Sequence, residues 1–129
     1  MNHIDYFNMA AKIANFEDDR TFTLGAIGIR TDGVLVNARN GNSFSTKFPI
    51  FRRDVKSHAE GRILRKLDSG SIIYITRIKN DNSFGLSKPC PGCSCLIKAK
   101  KIEKVYYTID DDTFGLWLPR QNKNYMYRF

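Results

Sequence analysis

The chain has 129 residues, a length that fits one domain with a single hydrophobic core. Hydrophobic residues make up 42% and charged residues 26% of the sequence, which excludes extensive disorder. The formal net charge of +8 either serves solubility or favours anionic partners: phosphate-bearing metabolites, nucleic acid or an anionic membrane surface. No apolar stretch approaches the roughly 18 residues of a membrane span, so we expect no membrane insertion.

The cysteines indicate the compartment and the kind of chemistry. All three fall between Cys90 and Cys95, and the first residues lack the basic and apolar regions of a secretory signal. An odd, clustered set without an export signal is typical of a reducing compartment and of metal or redox chemistry. We therefore expect a cytoplasmic protein.

A helix and a β-hairpin are predicted first along the chain. Apolar residues recur at loosely helical spacing from Asn2 to Phe16, which predicts an N-terminal amphipathic helix. Leu24–Arg30 and Val34–Ala38 are predicted strands, and the Asp32-Gly33 pair between them is a strong hairpin signal. The polar and basic segment 39–57 is a long loop for so small a domain, and such loops are usually functional.

Helices and strands alternate in the second half. Ser57 suits the N-cap of a helix that begins at His58 and stops at Gly70. Apolar runs then predict a strand over Ser71–Ile78, a helix over Cys90–Lys101 and a strand over Lys104–Ile109. The aromatic tail 110–129 favours one strand around Phe114–Leu118 that packs on the sheet. This alternation predicts one domain, residues 1–129, built as a three-layer α/β/α sandwich.

Two short motifs carry the residues of metal and acid–base chemistry: His58-Ala59-Glu60 and Pro89-Cys90-Pro91-Gly92-Cys93. A Cys-x-x-Cys at a helix start places both sulfurs on one face of the first turn, where the helix dipole favours thiolates. With His58 as a third ligand, one His and two Cys leave the fourth position of a tetrahedral zinc open, as catalytic sites do. Glu60 lies two residues from His58 and is placed to act as a general acid and base.

The cysteine motif alone has other interpretations. A Cys-x-x-Cys also occurs as a thioredoxin-like redox pair or as half of a structural zinc site, which Cys95 would help to complete. The joint pattern, with each motif opening a predicted helix, favours a catalytic zinc site. Cys95 is then interpreted as a small buried helix residue.

From about Leu24 to Tyr107 the chain resembles the zinc-dependent cytidine and deoxycytidylate deaminase superfamily, whose signature is H-x-E followed by P-C-x-x-C. The resemblance implies a central mixed sheet, zinc held by His58, Cys90 and Cys93, and proton transfer by Glu60 during hydrolytic loss of an amino group from a base. It also implies three substrate contacts: the sugar at Asn40, the pyrimidine carbonyl near the Ala59 backbone N–H, and the base near the Ser87 backbone. Asn40-Gly41 is otherwise only a turn.

The substrate is less constrained than the chemistry. A histidine as the first ligand resembles the deoxycytidylate and tRNA-adenosine deaminases, and Arg52 and Arg53 in the basic loop suit a 5′-phosphate, although that loop is equally well a solvated one. The leading hypothesis is conversion of dCMP to dUMP by a homo-oligomer, the assembly that the resemblance implies. The alternatives are a deaminase of cytosine or adenine in single-stranded DNA or RNA, and a zinc-stabilised binding module without activity.

Overall fold

The structure is a computed structural model that describes residues 2–14, 22–39 and 59–129. Within these ranges side chains are described except those of residues 22, 23 and 59–61. The elements are, in chain order, α1 (His3–Ala14), β1 (Phe22–Ile29), β2 (Leu35–Arg39), α2 (Ala59–Leu64), β3 (Ile72–Lys79), β4 (Phe84–Gly85), α3 (Pro91–Lys100), β5 (Lys104–Thr108), β6 (Thr113–Leu118) and β7 (Lys123–Arg128). No helix in these ranges is long and apolar enough to cross a membrane.

The strands form one mixed sheet in the order β2-β1-β3-β5-β6-β7, and the short β4 pairs with β3. β1 is antiparallel to both β2 and β3, whereas β3 and β5 are parallel. β2, β3 and β5 therefore run in one direction. The chain must cross the sheet between them, and the helices α2 and α3 make these crossings.

The helices cover both faces of the sheet. On one face, Phe7 and Ala10 of α1 pack against Ile27, Tyr74 and Phe114. On the other, α2 and α3 contribute to a second core, which contains Ile63, Leu64, Ile73, Ile97, Val105 and Trp117. The predicted three-layer α/β/α sandwich with a mixed central sheet is confirmed.

The structure shortens one predicted helix and adds two strands that were not predicted, the short β4 and β7. The helix expected to run to Gly70 ends at Leu64, because the Lys66 N–H bonds to the Ile63 carbonyl in a tighter turn. Leu67 still reaches the core, but from beyond the helix end. The tail holds two antiparallel strands, β6 and β7, where one was expected. All six residues of β7 are exposed, so this strand lacks the alternation of buried and exposed positions by which a half-buried strand is predicted from sequence.

Helix α1 approaches β1 closely enough to require glycine. A Cβ atom on Gly25 would lie 2.1 Å from the Ala10 carbonyl oxygen and 2.7 Å from the Ala14 nitrogen. Both are backbone atoms of the helix, so neither can rotate away. A buried hydroxyl adds a second tie, since Thr76 Oγ1 donates a hydrogen bond to the Phe7 carbonyl at 2.9 Å.

We expect Gly25→Ala to lower the free energy of unfolding by about 3 kcal/mol, because α1 must move off the sheet to admit one methyl group. The control is Gly33→Asn in the hairpin turn, where φ is +87° and no atom would meet the added Cβ. Asparagine tolerates that conformation, so we expect a change below about 1 kcal/mol. Urea denaturation of both variants measures the difference, and equal losses would contradict the close approach.

The first residue of α1 joins an aromatic cluster. His3 Nδ1 lies 2.6 Å from the Tyr74 hydroxyl, and its ring centroid lies 4.6 Å from that of Tyr106. Burial, followed by the charge of Lys104, lowers the pKa of His3. Burial also raises the pKa of Tyr74, so its hydroxyl stays protonated beside the His3 ring.

We expect stability to fall as the pH drops from 7.5 to 5.5, because the unfolded chain protonates His3 near its usual pKa of about 6.5 while the folded chain resists protonation. In His3→Gln this part of the pH dependence should disappear. The measurement is the urea midpoint at both pH values. An unchanged slope in the variant would show that His3 does not contribute to it.

Candidate active site

The sheet topology brings the starts of α2 and α3 to one edge. The chain leaves the carboxyl ends of the parallel strands β2 and β3 to reach α2 and α3, and ligands of open α/β sheets bind at this edge. The turn between α2 and β3 is also tied to the carboxyl end of α3. The Gly70 N–H donates to the Lys101 carbonyl at 2.9 Å, and Ser69 Oγ donates to the Lys100 carbonyl at 3.2 Å. Helices α2 and α3 therefore run side by side, both starting at the site edge.

Cys90 begins helix α3 as its N-cap. Its backbone is extended, with φ −68° and ψ 166°, and its sulfur accepts a hydrogen bond from the Cys93 N–H at 3.5 Å. Pro91 occupies the first turn, where a missing N–H has no cost. The first turn contains no acidic residue.

The three cysteines, all in the described part of the chain, are present as thiols in different environments. Cys93 is completely buried, and Cys90 is half-buried. Cys95 is exposed, so the expectation that it is buried was wrong. The reason is helical spacing: Cys93 and Ile97 lie four residues apart on the buried face of α3, and Cys95 falls between them on the opposite face.

A buried hydrogen-bond network holds the segment that leads into Cys90. Ser87 Oγ donates to the Ile75 carbonyl at 2.9 Å and accepts from the Thr108 N–H at 2.8 Å. The Ser87 N–H donates to the Thr108 carbonyl at 2.9 Å, and Thr108 Oγ1 donates to the Gly85 carbonyl at 2.7 Å. Ser87 and Thr108 are almost completely buried, so β3, β5 and the segment before the cysteines are fixed together.

From the sequence, Ser87 was expected only to contact the base, and no role was predicted for Thr108. The N–H and the hydroxyl of Ser87 are engaged within the protein, which leaves its carbonyl oxygen as the backbone group able to contact a base. Thr108 ends β5 as one polar residue after an apolar run, and many strands end in this way. Its role depends on pairing across the sheet, which no local pattern shows.

Part of the predicted site lies outside the described residues: Asn40, Arg52, Arg53 and His58. Ala59 and Glu60 are described as the first residues of α2, without their side chains. Among the side chains that are described, no three His, Cys, Asp or Glu residues form a metal-binding group. Two metal-ligating atoms of the predicted site are described, the sulfurs of Cys90 and Cys93, and soft sulfur ligands of this kind suit zinc.

No protein-family model matches the sequence, and no curated protein matches it. Solved structures do match the fold. A cytidine deaminase from Burkholderia pseudomallei aligns with a TM-score of 0.56 at 15% identity, over 99% of this chain and 93% of that one. A cytidine deaminase from Mycobacterium leprae aligns with a TM-score of 0.56 at 14% identity, over 94% and 96% of the two chains.

A mutant cytidine deaminase from Mycobacterium tuberculosis aligns with a TM-score of 0.50 at 14% identity, over 84% of this chain and 85% of that one. At such low identities the likeness concerns the fold rather than the chemistry. It nevertheless extends over nearly the whole length of the first two proteins. The chain has the fold of the cytidine deaminases.

Proposed function

We propose that the protein is a zinc-dependent hydrolase that removes the amino group from a cytosine nucleotide, with dCMP as the leading substrate. The observation that carries the proposal is the Cys90–Cys93 turn, which opens α3 at the edge of the sheet where α2 also begins. Glu60 and His58 belong to the motif at the start of α2. A fold shared with three cytidine deaminases supports the same class of substrate.

In this proposal His58, Cys90 and Cys93 hold zinc, and each residue has a separate task. Bound zinc supplies water that ionises near pH 7, which is a nucleophile at neutral pH. Glu60 takes the proton of the attacking water and delivers it to the base. A bond forms between the water oxygen and the ring carbon, and Glu60 moves the second proton of that oxygen to the amino nitrogen. The bond from the ring carbon to the amino nitrogen then breaks, ammonia leaves, and the oxygen stays on the ring as a carbonyl. The product is the uracil nucleotide.

Substrate recognition is proposed at the same edge. Asn40 directly follows β2 and would bind the sugar, while the Ala59 N–H and the Ser87 carbonyl would contact the base. Arg52 and Arg53, from the loop between β2 and α2, would bind the 5′-phosphate. This phosphate contact is the reason for preferring dCMP over the free nucleoside.

A second candidate function is deamination within single-stranded DNA or RNA. It is favoured by strand β7, which exposes two basic side chains, Lys123 and Arg128, together with Tyr125 and Tyr127. Basic and aromatic side chains along one strand suit a polynucleotide, whose backbone and bases they would contact. Incubation with dCMP, deoxycytidine, cytidine and a cytosine-containing oligonucleotide, followed by ammonia release, separates the candidates. Turnover of the oligonucleotide alone would contradict the mononucleotide proposal.

We expect Glu60→Gln to lower kcat by about 1,000-fold while one zinc per chain is retained, because proton transfer is lost and the three ligands remain. The matched control is Glu103→Gln, an exposed position between α3 and β5, which should keep full activity. Steady-state kinetics and metal analysis of both variants provide the test. Near-normal turnover by Glu60→Gln would show that another group transfers the proton.

We expect Thr108→Val to weaken zinc retention about tenfold, because the segment before Cys90 loses part of its buried hydrogen-bond network. Cys95→Ser is the control, since Cys95 is exposed on the far face of α3 and should not affect the metal. Competition with a chromogenic chelator measures zinc affinity, and circular dichroism checks that both variants fold. Zinc loss from Cys95→Ser would instead make Cys95 a ligand.

A further inference from the structure

Strand β7 is the last strand of the sheet among the described residues, at the edge opposite β2. All six of its residues are exposed. Eight large hydrophobic side chains are exposed in the described part of the chain, and half of them lie at the β7 edge: Tyr125, Met126, Tyr127 and Phe129. Met126 has the highest exposure of the eight, 70%. An exposed edge strand with clustered apolar side chains marks a surface where another strand can add to the sheet.

The β7 edge lies away from the ranges that the structure does not describe. Range 15–21 links α1 to β1, and range 40–58 links β2 to α2. Helix α2 contacts β1 and β2, and Ala14 at the end of α1 lies against Gly25 of β1. Three strands separate β1 from β7, which is roughly 19 Å at the usual strand spacing. β7 and its neighbours β5 and β6 are built from residues 104–129, all of which are described.

The register of β6 and β7 shows where the backbone groups of β7 point. The Phe129 N–H donates to the Asp112 carbonyl at 2.9 Å, in the same register as the β6–β7 ladder. Hydrogen-bonded and non-hydrogen-bonded pairs alternate along antiparallel strands, so Phe129 and every second residue before it bond to β6. The N–H and carbonyl groups directed away from β6 are those of Asn124, Met126 and Arg128.

The side chains of β7 alternate between the two faces of the sheet. Tyr127 stacks on Phe114 on the face that α1 covers, with 5.5 Å between ring centroids. Asn124 accepts a hydrogen bond from the Tyr107 hydroxyl at 3.3 Å on the opposite face. By the same alternation the α1 face carries Lys123, Tyr125 and Phe129, and the opposite face carries Met126 and Arg128. The two cations of the strand are therefore on opposite faces.

We propose that two copies of this chain pair antiparallel along β7 and form one continuous sheet. Hydrogen bonds form only between groups that point at the shared edge, so outward-directed residues of one copy must meet those of the other. The register that pairs the most residues places Met126 opposite Met126 of the second copy, on a two-fold axis. Tyr125 then lies opposite Tyr127 of the second copy on both sides of the axis, and cross-strand aromatic pairs stabilise a sheet.

The charges at the ends of β7 favour a second copy as the occupant. Lys123 is at one end of the strand, and the acidic turn Asp110–Asp112 lies beside Phe129 at the other. Antiparallel pairing about Met126 places Lys123 opposite Phe129 of the second copy, next to its acidic turn, and the two-fold axis repeats this contact. Like charges directly opposite would destabilise the pair, but Lys123 cannot face Arg128 because the two lie on opposite faces.

The inference does not rest on the proposed deamination, because pairing along β7 requires neither zinc nor Glu60. A single pair of short strands buries less surface than a standard interface, roughly 1,200–2,000 Å² in total. We therefore expect reversible association with a dissociation constant on the order of 10 μM. Contacts between copies through another surface would affect every variant equally, so the test compares variants with the wild type.

The first test is sedimentation velocity between about 1 and 200 μM protein, which spans that dissociation constant. Met126→Pro removes an outward N–H and spares the bonds to β6, as prolines on edge strands do. Met126→Lys keeps the backbone and places two ammonium groups opposite each other at the axis. The matched control is Val34→Lys, at an exposed apolar residue in the hairpin between β1 and β2. We expect both Met126 variants to have about half the mass of the wild type and of the control at the highest concentration.

A charge exchange tests the occupant. We expect Lys123→Glu to weaken association about fivefold, because it brings like charges together at both ends of the paired strands. Adding Asp112→Lys should restore the affinity to within about twofold of the wild type, since the opposite charges then face each other again. A double variant as weak as Lys123→Glu alone would contradict a second copy as the occupant.

Oxidation of introduced cysteines tests the register, in a Cys95→Ser background that removes the exposed native thiol. In Met126→Cys the two Cα atoms at the axis would be about 5.5 Å apart, within the disulfide range of roughly 4.4–6.8 Å. In Asn124→Cys they would be roughly 13 Å apart, too far for a bond. We expect a disulfide-linked dimer from Met126→Cys only.

Equal masses of the wild type and the Met126 variants at every concentration would overturn the proposal, and so would a disulfide in Asn124→Cys but not in Met126→Cys. Nucleic acid is the other occupant to exclude. A wild type that does not pair along β7, but binds a labelled oligouridylate that Lys123→Gln with Arg128→Gln fails to bind, would assign the edge to nucleic acid and overturn the proposal.

Discussion

Parallel pairing of β3 with β5 determines where the helices of this protein lie. Strands that run in the same direction cannot be joined by a tight turn, so the chain must cross the sheet between them. The crossings are α2 and α3, and both lie on the face opposite α1. Since each helix begins at the carboxyl end of a strand, the two helix starts share one edge. The starts of α2 and α3 are about 30 residues apart in the sequence, and only this arrangement places them at the same edge.

The buried hydroxyls of Ser87 and Thr108 connect that pairing to the cysteines. Ser87, in the segment between β4 and α3, donates to the Ile75 carbonyl, and Thr108 donates to the Gly85 carbonyl, both next to Ile75–Tyr107, the last pair between β3 and β5. A polar network in a dry interior is costly when incomplete and rigid when complete. Here it is closed by direct hydrogen bonds, so the start of α3 is held as firmly as the strands themselves.

Features that depend on a few neighbouring residues were predicted correctly from the sequence. The Asp32-Gly33 turn and the start of α3 at Cys90 follow from backbone preferences of a few residues, and both were placed to within a residue or two. Failures occurred where tertiary contacts decide. Strand β7 is exposed on every residue and is fixed by pairing with β6, by stacking of Tyr127 on Phe114 and by the Tyr107 hydroxyl, which donates to Asn124 Oδ1. The exposure of Cys95 depends on which face of α3 meets the sheet.

The distribution of charge has consequences that the net value of +8 does not. At the β7 edge the basic side chains lie on an exposed strand, where salt screens interactions beyond roughly 8–10 Å. At the β2 edge, by contrast, Lys66 Nζ donates to the Asn37 carbonyl at 2.6 Å, so this charge is held against the sheet. A basic total is therefore weak support for nucleic-acid binding.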